Sequence, residues 1–339
     1  MVVIMKPDAG EADVTGVVDR IKKYGMDVHI SKGKERTIIG IIGDEREVDF
    51  GSLAALPGVD RALPILRPYK YVSRHVHPQG RTVLVGDIEV GKEPVFIAGP
   101  CSVEEEDTTL RIAEQVRKAG AQLFRGGAYK PRTSPWSFQG LREKGLKILA
   151  KVKRETGLPV VTEIMDSEDI DLVGRYTDVY QVGMRNMRNY SLLAKLGKVS
   201  KPVLLKRGDS AKLEEWLAAA DYIVRNGNDA VILCERGIRT FEDFTRNTLD
   251  LNAVAGAKLE SCLPVLADPS HGTGRADLVP QMSRAAMAAG ADGLMLEVHF
   301  DPDKAWSDGM QTVTPAVLAE IIRECRAIRK TLAQATGGR

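Results

Sequence analysis

Eight short apolar segments, each followed by a stretch of helical periodicity, occupy the chain from residue 95 onward. They are near-continuous runs of Val, Ile and Leu, which is typical of parallel strands covered on both faces. Eight such units predict an α/β fold, the (β/α)8 or TIM barrel. A doubly wound open sheet is the alternative, but no G-x-G-x-x-G sequence opens a helix here. In chain order the segments are VFIAGPCS, AQLFRGG, PVVTEI, DVYQVG, PVLLKRG, AVILCERG, PVLADPSH and GLMLEVHF.

The first 70 residues predict a second, smaller unit. Two segments have helical patterns, EADVTGVVDRIKKYG and VDFGSLAALPG, and four are predicted strands: MVVIMK, MDVHIS, RTIIGIIG and VDRALPIL. Their order, β-α-β-β-α-β, is the ferredoxin-like pattern of a small α+β domain. We therefore expect a ferredoxin-like domain at residues 1–70, a linker and β-hairpin at residues 71–93, and the barrel at residues 94–339. The linker histidines, His75 and His77, are expected to be solvated.

Composition excludes several classes of protein. The 339-residue chain has 48 basic and 46 acidic residues, so it lacks the strong positive charge of a nucleic-acid-binding protein. The sequence contains no apolar run of about 18 residues, so no membrane span is expected. The N-terminal apolar run is too short for a signal peptide, and none of the four cysteines forms a C-x-x-C pair. These features predict a cytoplasmic protein without a disulfide framework.

Charged or reactive side chains follow every predicted barrel strand. The carboxyl ends of the strands form the active face of such barrels, so one opening would collect all of these side chains. A structural ion pair explains any one of them, but explains a set from all eight strands poorly. The set comprises Cys101, Arg125, Lys130, Glu163, Arg185, Lys206, Arg207, Glu235, Arg236, Asp268, His271, Glu297 and His299.

One subset has the chemistry of metal ligands. It consists of Cys101, His271, Glu297 and an acid beyond the eighth strand such as Asp308. A sulfur and a nitrogen ligand beside two carboxylates suit a divalent transition ion, whereas magnesium and calcium prefer oxygen alone. The four residues come from distant segments, so no spacing motif supports the site. Cys101 as a nucleophile remains the alternative.

A second subset consists of cations that would repel one another unless anions bind among them. Arginine matches phosphate and carboxylate oxygens two at a time. The loop GGAYKPRTSP adds the hydroxyls of Thr133 and Ser134 and leads into a predicted helix. These donors exceed the needs of one phosphate, so two anionic substrates are expected. The cations are Arg125, Lys130, Arg132, Arg185, Lys206 and Arg236.

Six stretches, in this order, resemble the motifs of 3-deoxy-D-arabino-heptulosonate 7-phosphate (DAHP) synthase, type I beta branch with an N-terminal ferredoxin-like domain. They are IAGPCSVE, RGGAYKPRTSPWSFQGL, LLKRG, CERGIRTFE, DPSHGTG and EVHFDPDKAWSDG. The resemblance implies an aldol-type condensation of phosphoenolpyruvate with erythrose 4-phosphate that releases phosphate, the first step of the shikimate pathway. It also implies a homotetramer, and inhibition by tyrosine or phenylalanine through the small domain.

The same resemblance implies roles for individual residues. One divalent ion, Mn, Fe, Zn or Co, would be bound by Cys101, His271, Glu297 and Asp308. Phosphoenolpyruvate would contact Arg125, Lys130, Arg185, Lys206 and Arg236. Erythrose 4-phosphate would contact Pro131, Arg132, Thr133, Ser134 and Asp268. Catalysis would involve Lys130, Glu163 and His271.

Three other functions are alternatives to the one that this resemblance implies. The related 3-deoxy-D-manno-octulosonate 8-phosphate synthase has a KANRSS-like loop where this chain has KPRTS, so Pro131 and Arg132 favour the four-carbon sugar. A metal-dependent hydrolase on the same barrel would have no use for six cations and usually carries a histidine pair on the first strand. A binding protein without catalysis would not need a complete set of metal ligands.

Overall fold

The computed structural model describes residues 2–32, 36–43, 48–63, 68–131 and 134–336. The chain divides into two units, Met1–Pro68 and Tyr69–Arg339. Two predicted site residues, Arg132 and Thr133, lie outside the described residues. A bilayer-spanning helix is absent from the described parts of the chain.

The first unit is a four-stranded antiparallel sheet with two helices, and the ferredoxin-like prediction is confirmed. Helix α1 buries Val17 and Ile21 on one face and ends where Gly25 takes a φ of 73°. The strand order is β2-β3-β1-β4. The elements are β1 (Val2–Met5), α1 (Glu11–Lys23), β2 (Asp27–Lys32), β3 (Thr37–Ile42), α2 (Phe50–Ala54) and β4 (Val59–Leu63).

The second unit is a closed barrel of eight parallel strands, and this overturns the open-sheet alternative. A short antiparallel hairpin, β5 (Val83–Val85) and β6 (Ile88–Val90), precedes it, as predicted. Neighbouring strands pair in chain order, and β14 closes the barrel against β7. The strands are β7 (Val95–Gly99), β8 (Leu123–Arg125), β9 (Val160–Ile164), β10 (Val179–Val182), β11 (Val203–Lys206), β12 (Val231–Glu235), β13 (Val265–Ala267) and β14 (Gly293–Glu297).

Helices follow the barrel strands and bury their apolar faces against them. Trp216, for example, is fully buried and donates a hydrogen bond from its indole nitrogen to the Leu205 carbonyl of β11. The helices are α3 (Glu106–Ala119), α4 (Glu143–Thr156), α5 (Ile170–Gly174), α6 (Tyr190–Leu196), α7 (Leu213–Arg225), α8 (Leu251–Glu260), α9 (Pro269–Thr273), α10 (Val279–Ala288) and α11 (Pro315–Thr336).

The lower part of the barrel interior is filled with apolar side chains. Ile97, Leu204 and Met295 are fully buried there. The hairpin packs against this cluster through Val83 and Val90, on the side where the barrel strands begin. The charged side chains at the carboxyl ends of the strands therefore lie at the opposite, upper end of this apolar core.

The segment from Tyr69 to Gly80 packs against the barrel. Tyr69 and Val72 are buried in its helix-facing core, and the Tyr69 hydroxyl donates to Glu260 at 2.8 Å. His75 is exposed, as expected, but His77 is half-buried with its Nε2 3.0 Å from Arg81. The expectation of two solvated histidines thus holds for only one of them.

Candidate active site

A pocket of about 330 Å³ opens at the carboxyl ends of the barrel strands. Five of its lining residues were not in the predicted site: Ser137, Gln181, Gly183, Met184 and Arg246. Cys101, Glu297 and Asp268 do not line it but are buried at strand ends beside it. The predicted residues that line it are Arg125, Lys130, Pro131, Ser134, Glu163, Arg185, Lys206, Arg236, His271 and Asp308.

Three of the four predicted metal ligands lie together at one side of this pocket, and the fourth, His271, contacts one of them. One ligand atom from each of Cys101, Glu297 and Asp308 lies within 4.8 Å of the other two. The Cys101 thiol donates to Asp308 Oδ2 at 2.8 Å, and His271 Nε2 is 3.4 Å from Glu297 Oε1. Sulfur, nitrogen and carboxylate donors thus face one small volume.

The barrel topology explains why these distant segments meet. Cys101 follows β7, His271 lies on α9 just after β13, and Glu297 ends β14. These three strands are neighbours in the closed sheet. Asp308 comes from the segment that follows β14, where it holds a left-handed backbone with a φ of 55°.

Asp268 fixes the orientation of the His271 ring. Its Oδ2 is 2.8 Å from His271 Nδ1, and its Oδ1 accepts the His271 backbone N–H at 2.9 Å. Burial opposes the charge on Asp268, but His271 and Lys206 hold the pKa of its carboxyl well below the usual value. The ionised carboxylate therefore keeps a proton on Nδ1, which leaves Nε2 as the free lone pair that faces Glu297.

The donor set fits a divalent transition ion. Glu297 Oε1 is buried and accepts no hydrogen bond of good geometry from the described residues, although Arg125 Nη2 lies 3.1 Å away as an ion-pair partner. Burial lowers the pKa of His271, so the imidazole is neutral and able to ligate at neutral pH. Burial, with a contribution from Glu297, raises the pKa of Cys101 to about 12, so the metal-free site holds a thiol. Cys101, Glu297 and Asp308 thus form a possible metal site, with His271 Nε2 next to Glu297.

Three of the predicted cations are paired with groups of this cluster. Arg125 Nη2 is 3.1 Å from Glu297 Oε1, and Lys206 Nζ is 2.5 Å from Asp268 Oδ2. Lys130 Nζ donates to Cys101 Sγ at 2.9 Å and to the Cys101 carbonyl at 3.1 Å. Burial opposes the charge on Lys130, but Cys101 and Glu297 outweigh it and raise its pKa.

Two further cations face the pocket without such partners. Arg185 and Arg236 have no carboxylate within 4.0 Å in the described ranges of the chain. Arg236 is only 3% exposed, and burial lowers its pKa. A buried guanidinium without a counter-ion is costly, so this side of the pocket is suited to an anion.

Glu163 is the carboxyl group on the cationic side. Its Oε2 accepts a long hydrogen bond from Gln181 Nε2 at 3.5 Å. Burial raises the pKa of Glu163, and the opposing effects of Lys130 and Lys206 do not cancel it. A carboxyl group of this kind can accept or release a proton closer to neutral pH than an exposed one.

Some strand-end residues do not join the pocket. Arg207 Nη1 is 3.0 Å from Glu235 Oε2 and 2.8 Å from Asp250 Oδ2, and all three form a network behind the strands. His299 Nε2 is 3.3 Å from Glu104 Oε2. For these residues a structural ion pair or hydrogen bond is the correct reading.

Arg246 and Gln311 were missed by sequence reasoning. Arg246 Nη1 is 3.3 Å from both Asp308 Oδ1 and Gln311 Oε1, and Gln311 donates to Glu297 Oε2 at 2.5 Å. Neither residue follows a strand directly. They reach the site because the loops that carry them fold back over it, and the hydrophobic periodicity of a sequence does not predict how a loop folds.

Comparison with known proteins identifies the family. The DAHP synthetase I family matches residues 73–333, and the DAHP synthase ferredoxin-like domain matches residues 1–67. The phospho-2-dehydro-3-deoxyheptonate aldolase of Thermotoga maritima is 48% identical over 333 residues, which are 98% of each chain. A crystal structure of the Thermotoga maritima enzyme has a TM-score of 0.91 at 48% identity and covers 99% of this chain and 98% of its own.

The relatives of the alternative function are more distant. The 2-dehydro-3-deoxyphosphooctonate aldolase of Syntrophotalea carbinolica is 34% identical over 267 residues, which are 73% of this chain and 95% of that one. The octulosonate and hydrolase alternatives are therefore not supported. Both units match domains of one family, so this chain belongs to the DAHP synthetase I family of enzymes, which form carbon–carbon bonds by aldol-type chemistry.

Proposed function

We propose that this chain condenses phosphoenolpyruvate with erythrose 4-phosphate to give DAHP and inorganic phosphate, the first step of the shikimate pathway. Family membership supports the reaction. The single observation that supports the site most strongly is Arg236, a buried cation that faces the pocket next to a cluster of metal-type donors. An enzyme for two phosphorylated substrates needs such a cation, whereas a hydrolase does not.

The proposed metal ligands are Cys101, His271, Glu297 and Asp308, and Mn, Fe, Zn and Co all suit them. When bound, the ion would polarise the aldehyde carbonyl as a Lewis acid. The chain's own residues hold the ligand atoms in the protonation state that binds a metal. Asp268 holds the proton on Nδ1 of His271, and Lys130 lies against the Cys101 sulfur, where its charge favours the thiolate.

Phosphoenolpyruvate is proposed to bind in the cationic part of the pocket. Its carboxylate and phosphate carry several negative charges, and Arg185 and Arg236 are the cations there without a carboxylate partner in the described residues. Arg125, Lys130 and Lys206 complete the predicted set. Holding two anionic reactants in attack geometry contributes several kcal/mol, on the order of half the barrier reduction of a typical enzyme.

Erythrose 4-phosphate is proposed to bind at the KPRTS loop. Pro131 and Ser134 line the pocket, and Arg132 and Thr133 remain assignments from the resemblance. Asp268 is fully buried against His271 and Lys206, so we propose that it acts on the substrate through them. Arg132→Ala is expected to raise the KM for erythrose 4-phosphate far more than that for phosphoenolpyruvate in steady-state assays. Equal increases would contradict the assignment of the loop.

The three predicted catalytic residues, Lys130, Glu163 and His271, are proposed to have different roles. Lys130 stays protonated because its pKa is raised, so it donates hydrogen bonds rather than acting as a base. Glu163 has the raised pKa that suits a base for the water that attacks C2 before phosphate leaves. His271 remains neutral and presents Nε2 to the proposed metal site.

Regulation, assembly and location are proposed on the resemblance alone. We propose inhibition by tyrosine or phenylalanine through the ferredoxin-like unit, a homotetramer and a cytoplasmic location.

A phosphate-release assay tests the proposed function. Metal-free enzyme is supplied with phosphoenolpyruvate and either erythrose 4-phosphate or arabinose 5-phosphate, with Mn²⁺ or with chelator. We expect phosphate release from phosphoenolpyruvate only when both erythrose 4-phosphate and Mn²⁺ are present. Equal turnover of arabinose 5-phosphate would favour the octulosonate synthase, and full activity in chelator would exclude the metal.

A further inference from the structure

Five residues next to the pocket connect the loop after β7 to the segment after β14. Ser102 Oγ is 2.8 Å from Ser307 Oγ, and Glu104 Oε1 accepts the Trp306 backbone N–H at 2.9 Å. Glu104 Oε2 is 3.3 Å from His299 Nε2. We name Ser102, Glu104, His299, Trp306 and Ser307 the Glu104 cluster. None of the five lines the pocket.

The carboxylate and the imidazole of the cluster are buried, and the hydrogen bonds of the carboxylate have defined donors. Glu104 is 3% exposed and His299 is 1% exposed. The Asp301 backbone N–H donates to His299 Nδ1 at 2.9 Å, so Nδ1 has the lone pair and Nε2 carries the hydrogen. Nε2–H therefore donates to Glu104, and each oxygen of that carboxylate has one donor. A buried carboxylate that is satisfied on both oxygens holds its neighbours in one arrangement.

The two connected segments carry two of the proposed metal ligands. Cys101 directly precedes Ser102, and Asp308 directly follows Ser307. Asp308 has a left-handed backbone, which a residue with a side chain keeps when its surroundings hold it there. The hydrogen bonds of Ser307 and Trp306 lie immediately before that strained position.

Hydrogen bonds also join the two ends of the segment that carries Asp308. His299 N donates to the Val313 carbonyl at 3.1 Å, and Val313 N donates to the Glu297 carbonyl at 3.0 Å. Residues 300–312 thus leave and rejoin the barrel at one point, and the Glu104 cluster attaches the part that carries Asp308. This attachment acts together with Arg246, whose Nη1 lies 3.3 Å from Asp308 Oδ1, to hold the Asp308 carboxylate near Cys101 and Glu297.

We propose that Glu104 and His299 are positioning residues for the metal site, which hold Asp308 within reach of Cys101 and Glu297. This inference rests on the proposed metal role of those three residues. Outer partners that orient ligands typically change metal affinity by about 10–100-fold when they are altered. The effect should fall on metal binding, because neither residue faces the pocket.

Glu104→Gln in the full-length, metal-free protein tests the proposal. The amide keeps the size but has one oxygen, so either Trp306 N–H or His299 Nε2–H meets an amide N–H instead of an acceptor. Titration with Co²⁺, followed by the sulfur-to-cobalt absorption band, should show a dissociation constant raised by about 10–100-fold. The KM for phosphoenolpyruvate at saturating Co²⁺ should stay near the wild-type value.

Asp292→Asn is the matched control. Asp292, the residue before β14, is 2% exposed and binds Lys258 Nζ at 2.7 and 2.8 Å. It also accepts the N–H of Val265, the first residue of β13, at 2.8 Å. It should lower the melting temperature and leave Co²⁺ affinity unchanged. His299→Gln, whose amide can still donate to Glu104, should bind Co²⁺ more tightly than His299→Ala.

A milder variant keeps the test decisive if Glu104→Gln folds poorly. Ser307→Ala removes one neutral hydrogen bond and should weaken Co²⁺ binding by about fivefold. Wild-type affinity in both Glu104→Gln and Ser307→Ala, or equal losses in Asp292→Asn, would overturn the positioning role. If Cys101→Ala binds Co²⁺ as wild type does, the proposed metal site itself fails, and with it this inference.

Discussion

The mouth of the barrel has two sectors of opposite chemistry. The neighbouring strands β13, β14 and β7 carry His271, Glu297 and Cys101, whereas β8 to β12 carry the cations. Where the sectors meet, Arg125 pairs with Glu297 and Lys130 with the Cys101 sulfur. The donor sector is thus neutralised by the chain itself. Within the described residues, the cationic sector keeps unpaired charge, which directs an anionic substrate to that side.

Carboxyl groups behave differently in the two sectors. Burial opposes ionisation of Glu297, but His271 and Arg125 lower its pKa. Glu163 in the cationic sector is buried as well, and there burial prevails and raises the pKa. The contrast shows that a close partner, rather than the sign of the surrounding charge, decides whether a buried carboxyl is ionised.

The largest expected effect comes from breaking the donor sector. Cys101→Ala should weaken metal binding by more than about 100-fold and reduce turnover to background, because it removes a direct ligand. The measurement is a metal titration with a phosphate-release assay. Cys234→Ala is the control, since burial also raises the pKa of that thiol to about 12, but Cys234 packs in the apolar barrel interior. Equal losses in the two variants would contradict the distinction.

The cationic sector is tested by comparing two neighbouring arginines. Arg236→Gln should reduce kcat/KM for phosphoenolpyruvate by about 30-fold or more, with little loss of stability, because Arg236 has no ion-pair partner among the described residues. Arg207→Gln should lower the free energy of unfolding by about 3–5 kcal/mol, because it leaves Glu235 and Asp250 without their cation. Steady-state kinetics and urea unfolding of both variants would show whether binding and stability separate in this way.

Both sectors belong to the second unit, so removing the first should leave them working. A chain that begins at Tyr69 keeps Tyr69 and Val72, which are buried in the barrel core. We expect its turnover to stay near that of the full chain and its inhibition by tyrosine or phenylalanine to disappear. Inhibition that persists undiminished would refute the regulatory role of the small unit.

The smallest expected effect is on stability, at Glu163. Its folded pKa is raised above 4.5, so the folded state binds the proton more tightly and the ionised carboxylate destabilises the fold at neutral pH. Glu163→Gln should raise the melting temperature by about 1–4 °C at neutral pH, and the gain should fade as the pH falls towards 4.5. Thermal unfolding across this range checks it, with the exposed Glu168→Gln as control. A gain that is constant with pH would contradict the sign of the shift.

Sequence reasoning succeeded where chain order determines geometry. Parallel strands in chain order place every strand end on one face, so Arg125, Lys206 and Arg236 were found together from their positions alone. It failed for Arg246 and Gln311, which depend on how loops return. Position at the end of β12 does not by itself distinguish Arg236, which lines the pocket, from Glu235, which pairs with Arg207.

The hairpin β5–β6 bears on how substrates reach the pocket. Val83, Val85 and Val90 pack into the apolar cluster at the lower end of the barrel, so we expect reactants and products to pass through the pocket at the opposite end. Arg236 and Lys130 are buried in this pocket, whereas Ser134 of the KPRTS loop, which also lines it, is exposed to solvent. On the assignments proposed above, a sugar phosphate bound at Ser134 would lie between the solvent and these deeper cations, so we expect phosphoenolpyruvate to bind before it.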